Sequence, residues 1–251
     1  MKTTLAILLA ILGPSALSAF DHNHAAWDAD LKRYVNSKGL VDYRTWKRDS
    51  SALNAYLKTL ASAKMQGWTR DQQLAFWVNA YNAITIRYIL DAYPVASIRD
   101  IDGVWKSKRA TVAGRSLTLD SIEHVILRKE LREPRIHFAI VCASIGCPNL
   151  IPEAFRAEGL SKQLDAAATA FVRNPQKLRI DAAEEEIHLS RIFKWFGEDF
   201  EGFTGVSGYW GKTNGILSFV ATYLSRGGQR YVRNEELDVE WLDYDWSLNT
   251  Q

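Results

Sequence analysis

The chain has 251 residues, of which 47% are apolar and 24% are charged, so its composition is that of a globular protein rather than a disordered or fibrous one. The net charge is +2, and lysines and arginines are interspersed with acidic residues, which gives no electrostatic case for nucleic-acid binding. Nine tryptophans and ten tyrosines predict large aromatic clusters in a core or along a cleft.

Residues 1–19, MKTTLAILLAILGPSALSA, have the pattern of a secretory signal peptide. Lys2 supplies a positive start, an apolar run follows, Pro14 breaks it, and small residues precede a cleavage point after Ala19. The apolar run is too short for a permanent membrane anchor, and no cysteine marks a lipoprotein. We therefore expect a periplasmic or secreted protein whose mature part is residues 20–251.

The first half of the mature chain predicts mainly helices. Apolar residues at helical spacing indicate a helix around Trp27 and Leu31, and residues 51–63 indicate a second one. Residues 40–49 are interpreted as a short extended piece. A long helix begins after Thr69, where Gln72 completes a capping-box pattern, and it ends before Pro94. This helix is apolar on nearly all faces, which predicts a central position.

The second half predicts a mixture of strands and helices. A hairpin over residues 105–119 is followed by a helix over residues 121–129 with Asp120 as its cap. Residues 135–143, RIHFAIVCA, predict a buried strand, and Pro152 predicts the start of the next helix. A hairpin over residues 177–193, a late helix and an extended C-terminal segment complete the pattern. We expect a single α+β domain, helix-rich with a small, mostly antiparallel sheet.

The stretch RIHFAIVCASIGCP contains both cysteines and allows three interpretations. Cys142, at the end of the predicted strand, is a candidate nucleophile, with the following turn supplying the N–H groups of Ala143 and Ser144 as an oxyanion site. A Cys142–Cys147 bridge, which an oxidising compartment favours, would contribute roughly 2 kcal/mol. A zinc site formed by the two cysteines with His137 and His124 is the weakest interpretation, because C-x₄-C is not a standard knuckle. No metal or cofactor is expected, and the first two interpretations stay open.

His124 and Glu123 are the next candidates. His124 lies at the margin of the apolar stripe of its predicted helix, so it is either an ordinary boundary histidine or the general base for a thiol. Glu123 lies about 100° around the same helix, so it does not simply orient His124 from behind. We expect Glu123 to act on another group, such as Arg128 or a substrate amine.

Asn79 and Asn82 interrupt the long apolar helix at i and i+3. Two buried amides without partners would cost several kcal/mol, so each must bind loop backbone, a catalytic imidazole or substrate. His188, with Asp199 later in the chain, gives the order Cys…His…Asp but ranks below His124. His22 and His24 are expected to be disordered at the new N-terminus.

Several long motifs in one order resemble the domain-of-unknown-function 547 family, which occurs in secreted bacterial proteins and in plants. The motifs are FWVNAYNAITIRYIL, LTLDSIEHVILR, PRIHFAIVCASIGCPNL, HLSRIFKWFGEDF and YDWSLN. The resemblance implies family roles for Asn79 with Asn82, Glu123 with His124, His137, and both cysteines. Plant members meet reducing conditions, which weakens a disulfide as the reason for Cys142 and Cys147.

Together these observations predict a secreted papain- or transglutaminase-like thiol hydrolase or acyl transferase that acts on an amide or ester bond. Cys142 would be the nucleophile, His124 the base, and Asn79 or Asn82 an orienting or oxyanion group. Partners would be a peptide, a glycan or another cell-envelope compound, with no nucleic acid. The alternative is a non-catalytic periplasmic binding or scaffold domain with a structural Cys142–Cys147 bridge.

Overall fold

The computed structural model describes residues 19–234 and 237–251. The predicted signal peptide therefore lies outside the described residues, apart from Ala19. Within these ranges the α-helices are α1 (Ala25–Tyr34), α2 (Tyr43–Arg48), α3 (Ser51–Ser62), α4 (Arg70–Ala92), α5 (Leu160–Val172), α6 (Arg191–Trp195), α7 (Gly211–Tyr223) and α8 (Arg226–Asn234). A π-helix (Ser121–Glu130) lies between α4 and α5, and 3₁₀ segments cover Ile98–Asp100, Pro134–Phe138 and Gly197–Phe200.

The strands form two small sheets. β1 (Ala110–Val112) and β2 (Arg115–Leu117) make an antiparallel hairpin. β3 (Leu178–Asp181) and β4 (Glu186–Leu189) make a second hairpin, and β5 (Asp238–Trp241) adds to β4 in parallel. The fold is thus helix-rich with little strand, as the sequence predicted. None of the described helices has both the length and the apolar character needed to cross a membrane.

The long helix α4 is the centre of the fold. Its N-terminus carries the predicted capping box, in which Thr69 accepts from the Gln72 N–H and the Gln72 side chain accepts from the Thr69 N–H. Residues 74–86 are all buried, which explains why no polar face was visible in the sequence.

Two predictions near the N-terminus are wrong. His24 is buried rather than disordered, because its Nδ1 forms a 2.7 Å hydrogen bond with the Tyr56 hydroxyl. Residues 43–48 form the helix α2 rather than an extended piece. Asp42 accepts from the Thr45 N–H and so caps this helix, which places the Trp46 ring 4.7 Å from the Tyr34 ring. The cap and the aromatic contacts favour a short helix here. Intrinsic secondary-structure propensity does not include such contacts.

The predicted cap of the helix after the hairpin is also different. Asp120 already has helical dihedral angles and forms no capping hydrogen bond. Thr118 and Ser121 cap the helix instead. The Thr118 hydroxyl accepts from the Ser121 N–H at 3.1 Å, and the Ser121 hydroxyl accepts from the Thr118 N–H at 2.9 Å. Asp120 is therefore available for contacts with side chains further along the helix.

The segment predicted as a buried strand, residues 135–143, is not a strand. Pro134 begins a 3₁₀ turn that Glu133 caps by accepting from the Arg135 N–H, and irregular backbone follows Phe138. The apolar pattern is satisfied by two separate cores. Phe138 packs into one core, while Ile136 and Ile140 pack into the other.

The side chain of Asn82 makes the backbone hydrogen bonds that a neighbouring strand would otherwise make. Its Nδ2 donates to the Ala139 carbonyl, and its Oδ1 accepts from the Val141 N–H, both at 2.9 Å. Asn79 makes the same two-sided contact with Phe155, at 2.7 and 3.1 Å. The two amides of α4 therefore satisfy buried backbone groups of crossing segments, which such groups require.

The predicted helix start at Pro152 is wrong as well. The helix begins at Leu160, after Gly159 at a φ of +78°, and residues 148–159 form a loop. Asp28 of α1 accepts from the Ala154 N–H at 3.0 Å and pairs with Arg156 at 2.7 Å. These polar contacts hold the loop open where a helix would have left Asn79 and Asp28 without partners.

The C-terminal segment closes the structure. After β5 the chain returns along the cysteine loop, where the N–H groups of Ile145 and Gly146 donate to Ser247 and Asp245. Asn249 donates in turn to the Ala143 carbonyl. The cysteine loop is thus held between α4 and the last residues of the chain.

Asp30 gives a test of buried charge. Its Oδ2 is buried without a hydrogen-bond partner, and burial raises the pKa of Asp30 to about 6, with Arg33 opposing the rise and Asp49 adding to it. In the unfolded chain the pKa of Asp30 is lower, so the carboxyl ionises more readily there. At pH values above that lower pKa, ionisation therefore favours the unfolded state and reduces the free energy of unfolding. We expect Asp30→Asn to raise the free energy of unfolding at pH 7.5 by about 1–3 kcal/mol, and by roughly half as much at pH 5.

Thermal denaturation of both proteins across this pH range measures the effect. Asp102→Asn, at an exposed aspartate, is the matched control and should leave the transition unchanged. A lower midpoint for Asp30→Asn at pH 7.5 would show that the carboxylate has a stabilising partner.

Asn82→Ala tests how residues 139–142 are held. The substitution leaves the buried Ala139 carbonyl and Val141 N–H without partners, so the free energy of unfolding should fall by about 2–4 kcal/mol. Urea denaturation measures this, and Asn54→Ala on the exposed face of α3, which loses an exposed 3.3 Å hydrogen bond from Arg87, should change it by less than about 1 kcal/mol. If Asn82→Ala unfolds like the control, the segment is held by its apolar contacts alone.

Candidate functional site

A cleft of about 290 Å³ lies where the two hydrophobic cores meet. Its walls come from α4, the π-helix, the 134–147 segment, α6 and the C-terminal residues. The aromatic lining residues are Tyr81, Trp105, Trp195, Phe196, Tyr244 and Trp246. The polar and sulfur-containing ones are Lys106, Asp120, Glu123, His124, His137, Cys142 and Cys147. A mostly apolar cleft with a few convergent polar groups is the usual form of a small-molecule site.

Three of the aromatic rings form a connected wall. The Tyr244 ring lies 4.5 Å from Trp246 and 4.8 Å from Trp195, and the two indoles are 5.9 Å apart. Trp195 is 44% exposed although it is large and apolar. An exposed indole beside two others offers a ligand a broad contact surface at low conformational cost.

The two cysteines are joined by a disulfide in this structure. Cys142 is half-buried, whereas Cys147 is only 5% exposed. The Cys142 N–H donates to Cys147 Sγ at 2.9 Å, and the Ser144 hydroxyl lies 3.1 Å from Cys142 Sγ. Both sulfurs line the cleft, and polar hydrogens surround them.

The Tyr244 hydroxyl is the central contact of these sulfurs. It lies 3.1 Å from Cys142 Sγ, from Cys147 Sγ and from Ser144 Oγ. Burial, followed by the nearby Glu123 and Asp245 carboxylates, raises the pKa of Tyr244 despite an opposing hydrogen bond with Ser144. Tyr244 therefore keeps its proton and can donate it toward sulfur or toward an oxyanion.

Two residues outside the aromatic wall fix the position of this loop. A Cβ on Gly146 would lie 2.8 Å from the Tyr244 ring, so only glycine allows the ring to approach. On the other side, the Lys177 ammonium donates to the Ile145 carbonyl. Burial lowers the pKa of Lys177 to about 8, with Asp245 opposing.

His137 and Asp199 form a histidine–carboxylate pair at the cleft. His137 is buried, its ring stacks on Phe196 at 4.2 Å, and its Nε2 lies 2.6 Å from Asp199 Oδ2. Burial alone would raise the pKa of Asp199, but hydrogen bonds from His137 and Arg128 outweigh it and lower the pKa to about 2. An ionised Asp199 fixes the ring orientation and stabilises an imidazolium.

His124 is placed differently, although it lines the same cleft. Its Nδ1 lies 3.0 Å from an Arg128 nitrogen, and its Nε2 lies 3.5 Å from Asp120 Oδ1. The side chain is about one-third exposed. Both ring nitrogens thus face charged neighbours on the same helix.

Glu123 is bound from behind by Tyr81. The Tyr81 hydroxyl donates to Glu123 Oε2 at 2.9 Å, and Glu123 is only 9% exposed. Burial and the Glu123 carboxylate both raise the pKa of Tyr81 well above its usual value, so Tyr81 remains a donor. The ion pairs of the described residues do not include Glu123, so the predicted contact with Arg128 is absent; Arg128 pairs with Glu198 and Asp199.

The structure brings together five of the residues chosen from the sequence: Glu123, His124, His137, Cys142 and Cys147. Asn79 and Asn82 do not line the cleft, and their amides bind loop backbone as described above. Ala143 and Ser144, expected to supply oxyanion N–H groups, do not line it either. Ala143 is fully buried at a φ of +58°, and Ser144 pairs with Leu248.

Sequence reasoning missed Tyr81, Tyr244, Asp199 and the indoles of the cleft. Asp199 was noted only as a follower of His188, which instead lies in β4 and pairs with Glu186 at 2.8 Å. Tyr244 and Trp246 stand in the motif YDWSLN, so the motif carried a signal without indicating its partners. Within the ranges that the structure describes, no group of three or more His, Cys, Asp or Glu side chains is arranged to hold a metal ion.

Comparison with known proteins gives one match. A family model described as "Protein of unknown function, DUF547" matches residues 65–172. No curated protein and no solved structure matches the chain. The matched segment contains α4, the π-helix, the 134–147 segment and α5, and therefore most of the polar groups of the cleft. Residues 65–172 therefore match the domain-of-unknown-function 547 family, the family that the sequence motifs resemble.

Proposed function

We propose that this protein is a thiol hydrolase or acyl transferase that acts on an amide or ester bond, with Cys142 as its nucleophile. The observation that carries the proposal is that Cys142 and His137 line one cleft, while Asp199 lies 2.6 Å from the Nε2 of His137. A nucleophile, an imidazole and a carboxylate that orients the imidazole are the parts that such chemistry requires.

Because Cys142 is joined to Cys147 by a disulfide, it can act as a nucleophile only after the bridge is reduced. A thiol or dithiol reductant must first transfer two electrons to the Cys142–Cys147 bridge, which yields two thiols. Cys142 is then the more accessible of the two residues, because it is half-buried whereas Cys147 is buried. The Ser144 and Tyr244 hydroxyls beside Cys142 Sγ would stabilise its thiolate.

We assign the general base to His137 rather than to His124, the sequence candidate. Asp199 holds one nitrogen of His137, and among the described residues its Nδ1 forms no hydrogen bond. Both nitrogens of His124 already face Arg128 and Asp120. A base must be oriented by one partner and still have a nitrogen for the proton it accepts.

The reaction then follows the usual order for acyl transfer. His137 takes the thiol proton, and the Cys142 thiolate attacks the carbonyl carbon while Tyr244 donates to the oxyanion. The carbon–nitrogen or carbon–oxygen bond breaks as His137 returns the proton to the leaving group. Water or an amine attacks the thioester and restores the thiol.

The location and partners are part of the proposal. A periplasmic or secreted site rests on the signal-peptide pattern of residues 1–19, and the substrate would then be a peptide, a glycan derivative or another cell-envelope compound. The cleft is lined by rings and carboxylates, which suits one substituent of such a compound rather than a whole polymer.

A second candidate function is a non-catalytic binding domain. The bridge between Cys142 and Cys147 favours it, since a permanent disulfide would hold the loop between α4 and the C-terminal segment. The same aromatic cleft would then bind its ligand without chemistry.

A burst assay with p-nitrophenyl acetate separates the two candidates. We expect no burst from the oxidised protein, a burst of about one equivalent after reduction, and none from Cys142→Ser. Cys147→Ser is the informative partner, because it frees Cys142 and should react without a reductant. Mass spectrometry locates the acetyl group. Absence of a burst from folded Cys147→Ser would favour the binding domain.

The same assay assigns the base. His137→Gln should slow acylation about 100-fold or more, because a general base contributes roughly 10²–10⁴-fold. His124→Gln keeps a polar side chain at the rim and should slow acylation less than about 5-fold. The reverse order would return the role to His124, and circular dichroism checks that both variants fold.

A further inference from the structure

The Glu123 carboxylate is a buried acid that forms no ion pair with any other residue the structure describes. Tyr81 satisfies one oxygen, and the basic side chains beside Glu123 on the π-helix face other residues: Arg128 pairs with Asp199, and His124 lies 3.5 Å from Asp120. A buried carboxylate is costly unless it is paired and hydrogen-bonded. Glu123 lines the cleft, so a partner can reach it from the cleft.

The wall beside this acid is made of π-systems. Trp195, Trp246 and Tyr244 have mutual interplanar angles of 31–51°, so the three rings are tilted rather than stacked flat. Trp246 already accepts a cation, because the Arg99 guanidinium lies 5.3 Å from its ring. Aromatic faces beside a carboxylate attract alkylammonium groups through the ring quadrupole and the charge.

The other charges of the cleft agree with a cationic ligand. Asp120 adds a second carboxylate, which is about two-fifths exposed at the rim. Lys106 also lines the cleft but is exposed, so its ammonium can extend into solvent away from a bound cation.

We propose that Glu123 and the Trp195–Tyr244–Trp246 wall form a subsite for a primary alkylammonium group, such as the side chain of a lysine residue or one end of a diamine. The role of the amine as a substrate group rests on the proposed function: the amine would lie beside Cys142 as part of the acyl donor or as the acyl acceptor. Binding of the ammonium group at this subsite does not depend on a free thiol.

The test uses the oxidised protein, in which the bridge is closed and no acyl transfer takes place. Nα-acetyl-lysine amide is titrated while tryptophan fluorescence is followed, and Nα-acetyl-norleucine amide serves as the neutral probe of similar length. We expect the lysine probe to bind at least 10-fold more tightly, and raised salt to weaken it. Equal affinity of the two probes would overturn the ammonium subsite.

Variants locate the interaction. Glu123→Gln keeps the acceptor for Tyr81 but removes the charge, and should weaken the lysine probe about 10-fold while leaving the norleucine probe unchanged. Trp195→Ala should weaken it roughly 2- to 30-fold, as loss of a cation–π contact would. Glu130→Gln, on the same helix but outside the cleft, and Trp210→Ala, at a 90% exposed indole, are the matched controls.

The outcomes separate this inference from the proposed function. Ammonium binding that needs Glu123, without any acyl burst from Cys147→Ser, would keep the subsite and remove the hydrolase. A burst without preference for the lysine probe would do the opposite. Unchanged binding in Glu123→Gln, or a response equal to that of Glu130→Gln, would overturn the subsite.

Discussion

The fold depends on how residues 134–147 are held between two hydrophobic cores. This segment has too few backbone partners for a strand, so the buried amide of Asn82 supplies them from the centre of α4. Phe138 enters one core and Ile136 the other, so the segment cannot shift along its axis without exposing an apolar side chain. His137, between them in sequence, is consequently fixed at the border where the cleft opens.

The cleft follows from this arrangement. Because two cores pack against the same segment, a gap remains at their border, and polar side chains are tolerated there when each has a partner. Asp199 meets two such needs, since it accepts from buried His137 and pairs with Arg128. The C-terminal segment then brings Tyr244 over the cysteine loop, where Gly146 leaves space for its ring.

The polar groups of the cleft differ in how completely they are paired. Asp199 has two strong donors and is stabilised as an anion, which suits a group that orients an imidazole. Glu123 accepts from one neutral donor, Tyr81, and has no cationic partner within the described ranges of the chain. Asp30, which does not line the cleft, is an acid whose burial Arg33 offsets only in part, and its raised pKa shows the cost of such a position. The contrast sets Glu123 apart as an acid positioned to meet a ligand.

The sequence by itself determined the elements whose signals are local. The α4 capping box, the β3–β4 hairpin and the helix around Trp27 follow from residues close together in the chain. The family resemblance came from five motifs, of which three lie in the matched residues 65–172. It also grouped Glu123, His124, His137 and the cysteines as candidates.

Tertiary structure decided whatever depends on partners far apart in sequence. The apolar run RIHFAIVCA predicts a strand when it is considered alone. In the folded protein its apolar side chains pack into two different cores and its backbone binds the Asn82 amide, so no strand forms. The pairing of His137 with Asp199, 62 positions later, and of Tyr244 with Cys142 has no periodic signal. Such contacts arise because packing brings distant side chains together, and burial then determines which of them must be hydrogen-bonded.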